Sequence, residues 1–281
     1  MKKTPPAWHL LLAFVLTLAF LAGLIGWLQN VHIFTTNGMF KSILTEPWIH
    51  DPVNASLDHS NYLYYPLYGR LCALLDFLGF MRGQAWRQFA YLNAFWASIG
   101  SVFVYAFTYR LTGSAAASAG ATVFHLGSGF VLLLSVISED IMPGYVIVLG
   151  SMMLAGLWFA RPTVPRVIIV SVVFTVGWLF EWRLMFPTLP AIAAAFWFAE
   201  DRMSRRIGWL ALFLAVMVAV AAIVAFLTRN HLAAADTWKL LWTGKAVVSA
   251  WSGFTWVKAY FLTDGIAAYL TGTRIAEMPN I

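Results

Sequence analysis

The side chains able to move protons gather in one polar stretch, Gln29 to Pro66, that interrupts an otherwise apolar sequence. It holds Glu46, Asp51 and Asp58 with His50 and His59, and closes on Asp58-His59-Ser60-Asn61-Tyr62-Leu63-Tyr64-Tyr65-Pro66. A carboxylate next to an imidazole supplies the two groups most used for general acid and base work. Tyr62, Tyr64 and Tyr65 add hydroxyls and ring faces that can hold a polar substrate. Asp58 with His59 is the sharper candidate. Asp51 before Pro52 and Glu46 before Pro47 suit turns, and neighbours in sequence need not converge in space, so a merely solvated His59 stands as an equal alternative. Two further acidic places follow, Glu139-Asp140 and Glu181-Trp182-Arg183. For the first, helix capping is an even alternative, with Asp140 ahead of Ile141 and Pro143 in the first turn. The single Cys72 excludes an intrachain disulfide and argues against a thiolate metal site.

These groups sit among elements that only a membrane can accommodate. The chain has 281 residues, 61% hydrophobic and 11% charged, against about a quarter charged in soluble domains. Runs of roughly 20 apolar residues recur, each able to cross a ~30 Å hydrocarbon layer. The composition predicts an all-α, polytopic integral membrane protein; the alternation of a membrane β-barrel is absent. The net charge of +6 is scattered through short loops, which suits topology signals rather than a phosphate-tracking surface, so nucleic acid is not an expected partner. Lys2-Lys3 before a long apolar run, with no small-residue cleavage site at Gln29-Asn30-Val31, reads as a retained signal anchor with a cytoplasmic N-terminus.

Seven to eight spans follow from the pattern, as one module covering residues 1–281. The first is 7–28, and residues 29–87 form a first outer loop. Within that loop Leu67–Phe80 is read as a juxtamembrane helix, because Arg70 and Asp76 are costly inside a bilayer. Leaving it outside also puts Arg110, Arg161, Arg166, Arg202, Arg205 and Arg206 all in the cytoplasm. Further spans are expected at 89–109, 115–135, 141–160, 167–180, 184–199 and 207–227, with Pro187 and Pro190 breaking the helix near the outer turn at Glu181. Residues 229–245 form a later outer loop, and 246–270 a last span or an interfacial segment. His125 reads as a packed histidine, and Gly127-Ser128-Gly129 as a close-packing motif. Arg82 and Arg87 oppose the positive-inside trend and suit lipid phosphates or a phosphorylated lipid substrate.

The order of these features resembles the GT-C superfamily of polyprenyl-phosphate-sugar glycosyltransferases, nearest the protein O-mannosyltransferase and lipid A aminoarabinose transferase branch. The resemblance spans roughly residues 1–230. It rests on a first span, an acidic outer loop, the Pro-led helix from Tyr65-Pro66-Leu67-Tyr68, and Gly83, Arg87 and Asn93 leading to Tyr109-Arg110-Leu111-Thr112-Gly113. Glu139-Asp140 with Pro143-Gly144-Tyr145 then follows, and Gly177-Trp178-Leu179-Phe180-Glu181-Trp182-Arg183 with Leu189-Pro190. It implies a donor of polyprenyl-phosphate-linked sugar, with Asp58 or Asp51 as base on the acceptor and Glu139 or Asp140 assisting. It leaves a divalent cation open as a cofactor. It also implies Arg183 near the donor phosphate, and a multi-pass protein of the plasma (inner) membrane. The chain departs from the pattern in having no acid between span one and Glu46, and in ending at Ile281, so that a longer native chain is one reading. A non-catalytic GT-C-like protein that binds polyprenyl lipid or a partner is the alternative. A transporter ranks third, since the spans are nearly bare of charge until Lys258 and Asp264.

Overall fold

The computed structural model describes residues 4–28, 45–53, 55, 63–137, 141–158, 162–181, 185–199 and 202–228. Among these the regular structure is entirely helical. The helices are α1 (Ala7–Leu28), α2 (residues 45–50), α3 (Tyr64–Phe77), α4 (Ala85–Thr112) and α5 (Ala115–Gly127). They continue with α6 (Gly129–Leu134), α7 (Ile141–Trp158), α8 (Val164–Phe180), α9 (Met185–Ala199) and α10 (Met203–Leu227). Four of them, α1, α4, α7 and α10, are long and apolar enough to cross a membrane. The protein is therefore an α-helical membrane protein. The expected segments 229–245 and 246–270 lie outside the described residues.

The outward faces support that conclusion. On α1 only Thr17, Leu21 and Ile25, four residues apart, are buried. Leu11, Leu12, Val15, Leu16 and Phe20 are all exposed. A face so apolar would be an aggregation site in water, whereas in hydrocarbon it is the natural exterior. Trp8 and Trp27 are 63% and 69% exposed. Their nineteen-residue separation corresponds to roughly 28 Å of helix, close to the ~30 Å between the two interfaces where indoles settle. On α10 the same logic leaves Phe213, Met217 and Ala221 buried while Val218, Ile223 and Phe226 face out.

The chain divides into two compact units, and the described helices of the first are α1, α4, α5 and α6. Here α1 packs along α4, and α4 along α5. The buried face of α4 includes the small residues Ala90, Ala94, Ala97, Ser98 and Ser101, which let backbones approach where no hydrophobic effect drives helices together. Its serines bond back to their own helix, Ser98 to Ala94 O at 2.7 Å and Ser101 to Ala97 O at 3.1 Å, so no hydroxyl is stranded. Gly113 ends α4 in the left-handed conformation, φ 69°, its N–H donating to Tyr109 O at 2.7 Å.

Two expectations need correction in these helices. The span expected over 115–135 is broken at Ser128, whose extended backbone (φ −63°, ψ 131°) separates α5 from α6. The Ser128 N–H donates to Phe124 O and His125 O, closing α5. Its Oγ donates to His125 O at 2.8 Å and accepts from Val131 N at 3.4 Å, opening α6. Gly127 does not serve close packing among the described residues either, because none of them lies within 4 Å of the point where a Cβ would stand.

The second unit contains α2, α3 and α7 to α10. Its core is Val148, Val167, Val170, Phe174, Ile192, Phe196, Phe213 and Met217. Helices α7 and α8 cross through a reciprocal glycine contact. A Cβ on Gly144 would stand 3.0 Å from Gly177 O, and one on Gly177 would stand 3.0 Å from Val148 N. Pro187 and Pro190 do not break the chain as expected; both lie inside α9. Pro190 lies inside the helix and forfeits one backbone bond there. Helix α3 has 14 residues, about 21 Å, too short to cross the hydrocarbon. It has two faces, with Tyr64, Tyr65, Tyr68, Gly69 and Cys72 buried and Leu67, Arg70, Leu74 and Phe77 exposed.

Candidate functional site

Helix α3 organises the polar residues of the second unit. At its start the Leu63 N–H donates to Leu179 O at 3.3 Å, fastening it to the last turn of α8. One turn later Gly69 lies against α2, where an added Cβ would come within 2.9 Å of the Trp48 carbonyl carbon. Only glycine admits that approach. The acid-bearing α2 is thereby seated on the same helix that meets the end of α8.

Two residues beyond Leu179 stands Glu181, with 1% of its surface exposed. The sequence placed it in a wet outer turn; the fold buries it. The cause is the glycine crossing: the α7 backbone comes so near at Gly144 that an added Cβ would stand 2.9 Å from Glu181 Cβ and 3.2 Å from Glu181 N. The Glu181 N–H donates to Gly177 O at 3.1 Å, fixing the residue to the helix it terminates. Tyr64 and Tyr68 stack at 4.2 Å between ring centroids, and Tyr65 meets Tyr64 edge-on at 5.4 Å. The result is a buried aromatic wall on α3 beginning one residue from the Leu63–Leu179 bond.

Around this wall the remaining groups are plainer. Asp51 is exposed, and its N–H donates to Pro47 O at 2.8 Å, closing the last turn of α2. His50 Nε2 lies 3.1 Å from Glu46 Oε2 in an exposed pair one turn apart, worth a few tenths of a kcal/mol at most. Burial pushes the Cys72 thiol up to about 12, helped by the negative charges of Asp76 and Glu46. It is a packed, inert thiol rather than a nucleophile.

Of the other candidates, Arg82 and Arg87 belong to the first unit, at the start of α4. Arg82 is exposed and Arg87 half-buried, its guanidinium 4.7 Å over the Trp86 ring. Asp58, His59, Tyr62, Glu139, Asp140 and Arg183 lie outside the described residues. Among the described predicted residues, Tyr64, Tyr65 and Glu181 each stand within two positions in sequence of the Leu63–Leu179 hydrogen bond. No three described His, Cys, Asp or Glu residues come near enough to hold a metal ion. No family model, no curated protein and no solved structure matches this chain.

Sequence reasoning passed over several buried polar residues. Gln88 is fully buried in the first unit, its Nε2 donating to Met81 O at 3.4 Å. Asn93 Nδ2 donates to Ile137 O at 2.8 Å, tying α4 to the residues after α6. Thr45 and Trp48 are buried in α2. Gln88 did carry a signal, since an amide one helical turn from Gln84 and adjacent to Phe89-Ala90 falls on the apolar side of α4.

Proposed function

We propose that the protein is a multi-pass glycosyltransferase of the plasma membrane, moving a sugar from a polyprenyl-phosphate donor to an acceptor hydroxyl on the extracytoplasmic side. The reading includes seven to eight spans and a cytoplasmic N-terminus. The observation that carries it is the buried Glu181, two residues past the Leu63–Leu179 hydrogen bond that fastens α3, with its buried tyrosines and with α2 against it, to the end of α8. Tyrosine faces suit a sugar ring, which offers C–H groups to a π surface and hydroxyls to polar neighbours. A carboxylate withdrawn from water orients or polarises a hydroxyl more strongly than one in solution.

In the reaction the acceptor oxygen forms a bond to the anomeric carbon as the bond to the phosphate oxygen breaks, inverting that centre. The acceptor proton passes to a carboxylate base, the role that the resemblance gives to Asp58 or Asp51, with Glu139 or Asp140 assisting. The leaving group is polyprenyl phosphate, whose developing charge a cation such as Arg183 offsets. The reading gives Glu181, Tyr64 and Tyr65 the binding of the sugar or the acceptor once substrate displaces the packing that buries them. His59 and Tyr62 extend that surface, and Arg82 and Arg87 meet lipid phosphate.

The test is transfer of labelled sugar by the purified protein in lipid nanodiscs. Glu181→Gln keeps the shape and removes the acid, and is expected to lower turnover by about 10²-fold, the lower range for a positioned acid or base. Transfer at the parent rate by both Glu181→Gln and Asp58→Asn would sink the assignment.

A further inference from the structure

The opposite end of the second unit carries a second polar concentration. The proposed transfer site lies at the C-terminal end of α8. The N-terminal end of α8 carries Arg166, and that of α10 carries Arg202, Arg205 and Arg206. These two helix starts share one end of the bundle. Phe174 and Phe213, each ten residues beyond its helix's first residue, pack with centroids 5.6 Å apart. Between them α9, with 15 residues, carries the chain back by about 22 Å from the end of α8 to the start of α10. Arg206 lies over the Trp197 ring at 5.2 Å, and Trp209 packs against the core one turn further. Arg202 and Arg205 are exposed, with Arg166 and Arg206 half-buried. In sequence, stretches 161–166 and 200–206 hold five arginines and two acids; of these Arg161, Glu200 and Asp201 lie outside the described residues.

We propose that this end is a binding surface for an anionic phospholipid headgroup. Three features together favour a lipid. The charge excess is complementary to a phosphodiester. Stacking on Trp197 holds the Arg206 guanidinium, and its charge, beside the apolar surface of α9. The neighbouring apolar surface, Phe198 and Ile207, is exposed and fits acyl chains where a soluble anion would find nothing. A phosphate diester on a glycerol carrying two acyl chains satisfies all three.

The experiment uses the full chain in nanodiscs of phosphatidylcholine, with and without phosphatidylglycerol, and reads the lipid retained by native mass spectrometry. The parent is expected to retain phosphatidylglycerol in preference to phosphatidylcholine. A variant combining Arg202→Gln, Arg205→Gln and Arg206→Gln is expected to lose roughly 100-fold in that preference, about fivefold per arginine. Trp197→Leu, which keeps every charge, is expected to lose a smaller part. Two controls protect the reading. Unreactive Cys72 reports that the second unit is still folded, and Arg110→Gln, in the first unit, is expected to change nothing. Equal retention of both lipids by the parent overturns the proposal. So does unchanged preference in the triple variant, or displacement of the lipid by soluble glycerol phosphate at comparable concentration. Because the readout is lipid retention, its failure leaves the transfer reaction untouched, and loss of transfer leaves it standing.

Discussion

Replacing Gly144 by alanine adds one methyl group at the tightest point of the second unit, and the structure fixes what that methyl meets. It would stand 2.9 Å from Glu181 Cβ, 3.0 Å from Gly177 O and 3.2 Å from Glu181 N. Two of the three are backbone atoms, so no rotamer change relieves the contact, and α7 and α8 must separate. Overpacking of this kind costs about 1 to 3 kcal/mol. Against it stands the usual gain of about 0.5 to 1 kcal/mol for alanine over glycine in a helix. The same substitution at Gly208 on α10 meets nothing within 4 Å and should show the gain alone. Thermal unfolding in one detergent should therefore move in opposite directions. Gly144→Ala should fall by a few degrees and Gly208→Ala rise by one or two, using about 2 to 4 °C per kcal/mol. Sugar transfer should fall further than stability does, because a small displacement of Glu181 is amplified in a reaction that depends on its position. A Gly144→Ala protein that melts at or above the parent temperature would refute the close crossing, and with it the stated reason for the burial of Glu181.

Other outcomes follow from single features. Cys72 should resist maleimide in the folded protein at pH 8 and react on unfolding, since a thiol pushed up to about 12 from an ordinary 9.0 holds about a thousandth of the ordinary thiolate fraction. The same shift sets a pH dependence. Above pH 9 the unfolded chain releases that proton while the folded one keeps it, so the contribution present below pH 9 is lost as pH climbs toward 12. Unfolding midpoints measured across that range should decline. Ser128→Ala removes the side chain that closes α5 and opens α6; a loss of about 1 kcal/mol is expected, readable as a lowered midpoint in the detergent used for the glycine pair.

The parts of the fold legible in the sequence were those decided by local composition. The limits of α1 coincide with the uncharged run after Lys2 and Lys3, because its length and hydropathy suffice to define it. The apolar run from 141 likewise suffices to define α7 as a candidate span. The break at Ser128 escaped because Gly-Ser-Gly within an apolar run suits a packing motif as well as a terminus, and only the hydrogen bonds of Ser128 distinguish them. The prolines of α9 misled for a related reason: Pro190 costs one backbone bond, which the surrounding helices outweigh. At the candidate site, the tyrosines were visible as a cluster, but the burial of Glu181 was not. That burial is produced by Gly144 and Gly177, thirty-three residues apart, whose meeting is a tertiary event without a local signature.

The two exposed indoles of α1 have a consequence for any reconstitution. With Trp8 and Trp27 roughly 28 Å apart along the helix axis, this helix acts as a gauge of acyl-chain length. In lipids much longer than that spacing the bilayer must pinch inward around it or draw an indole below the headgroups; in much shorter ones the helix must lean. Either response loads the α1–α4 contact, beginning at the hydrogen bond between His9 Nδ1 and the Tyr105 hydroxyl, 2.9 Å long. Chain length in the surrounding lipid is thus a mechanical variable, and activities measured in two lipids are comparable only when their hydrocarbon thicknesses match.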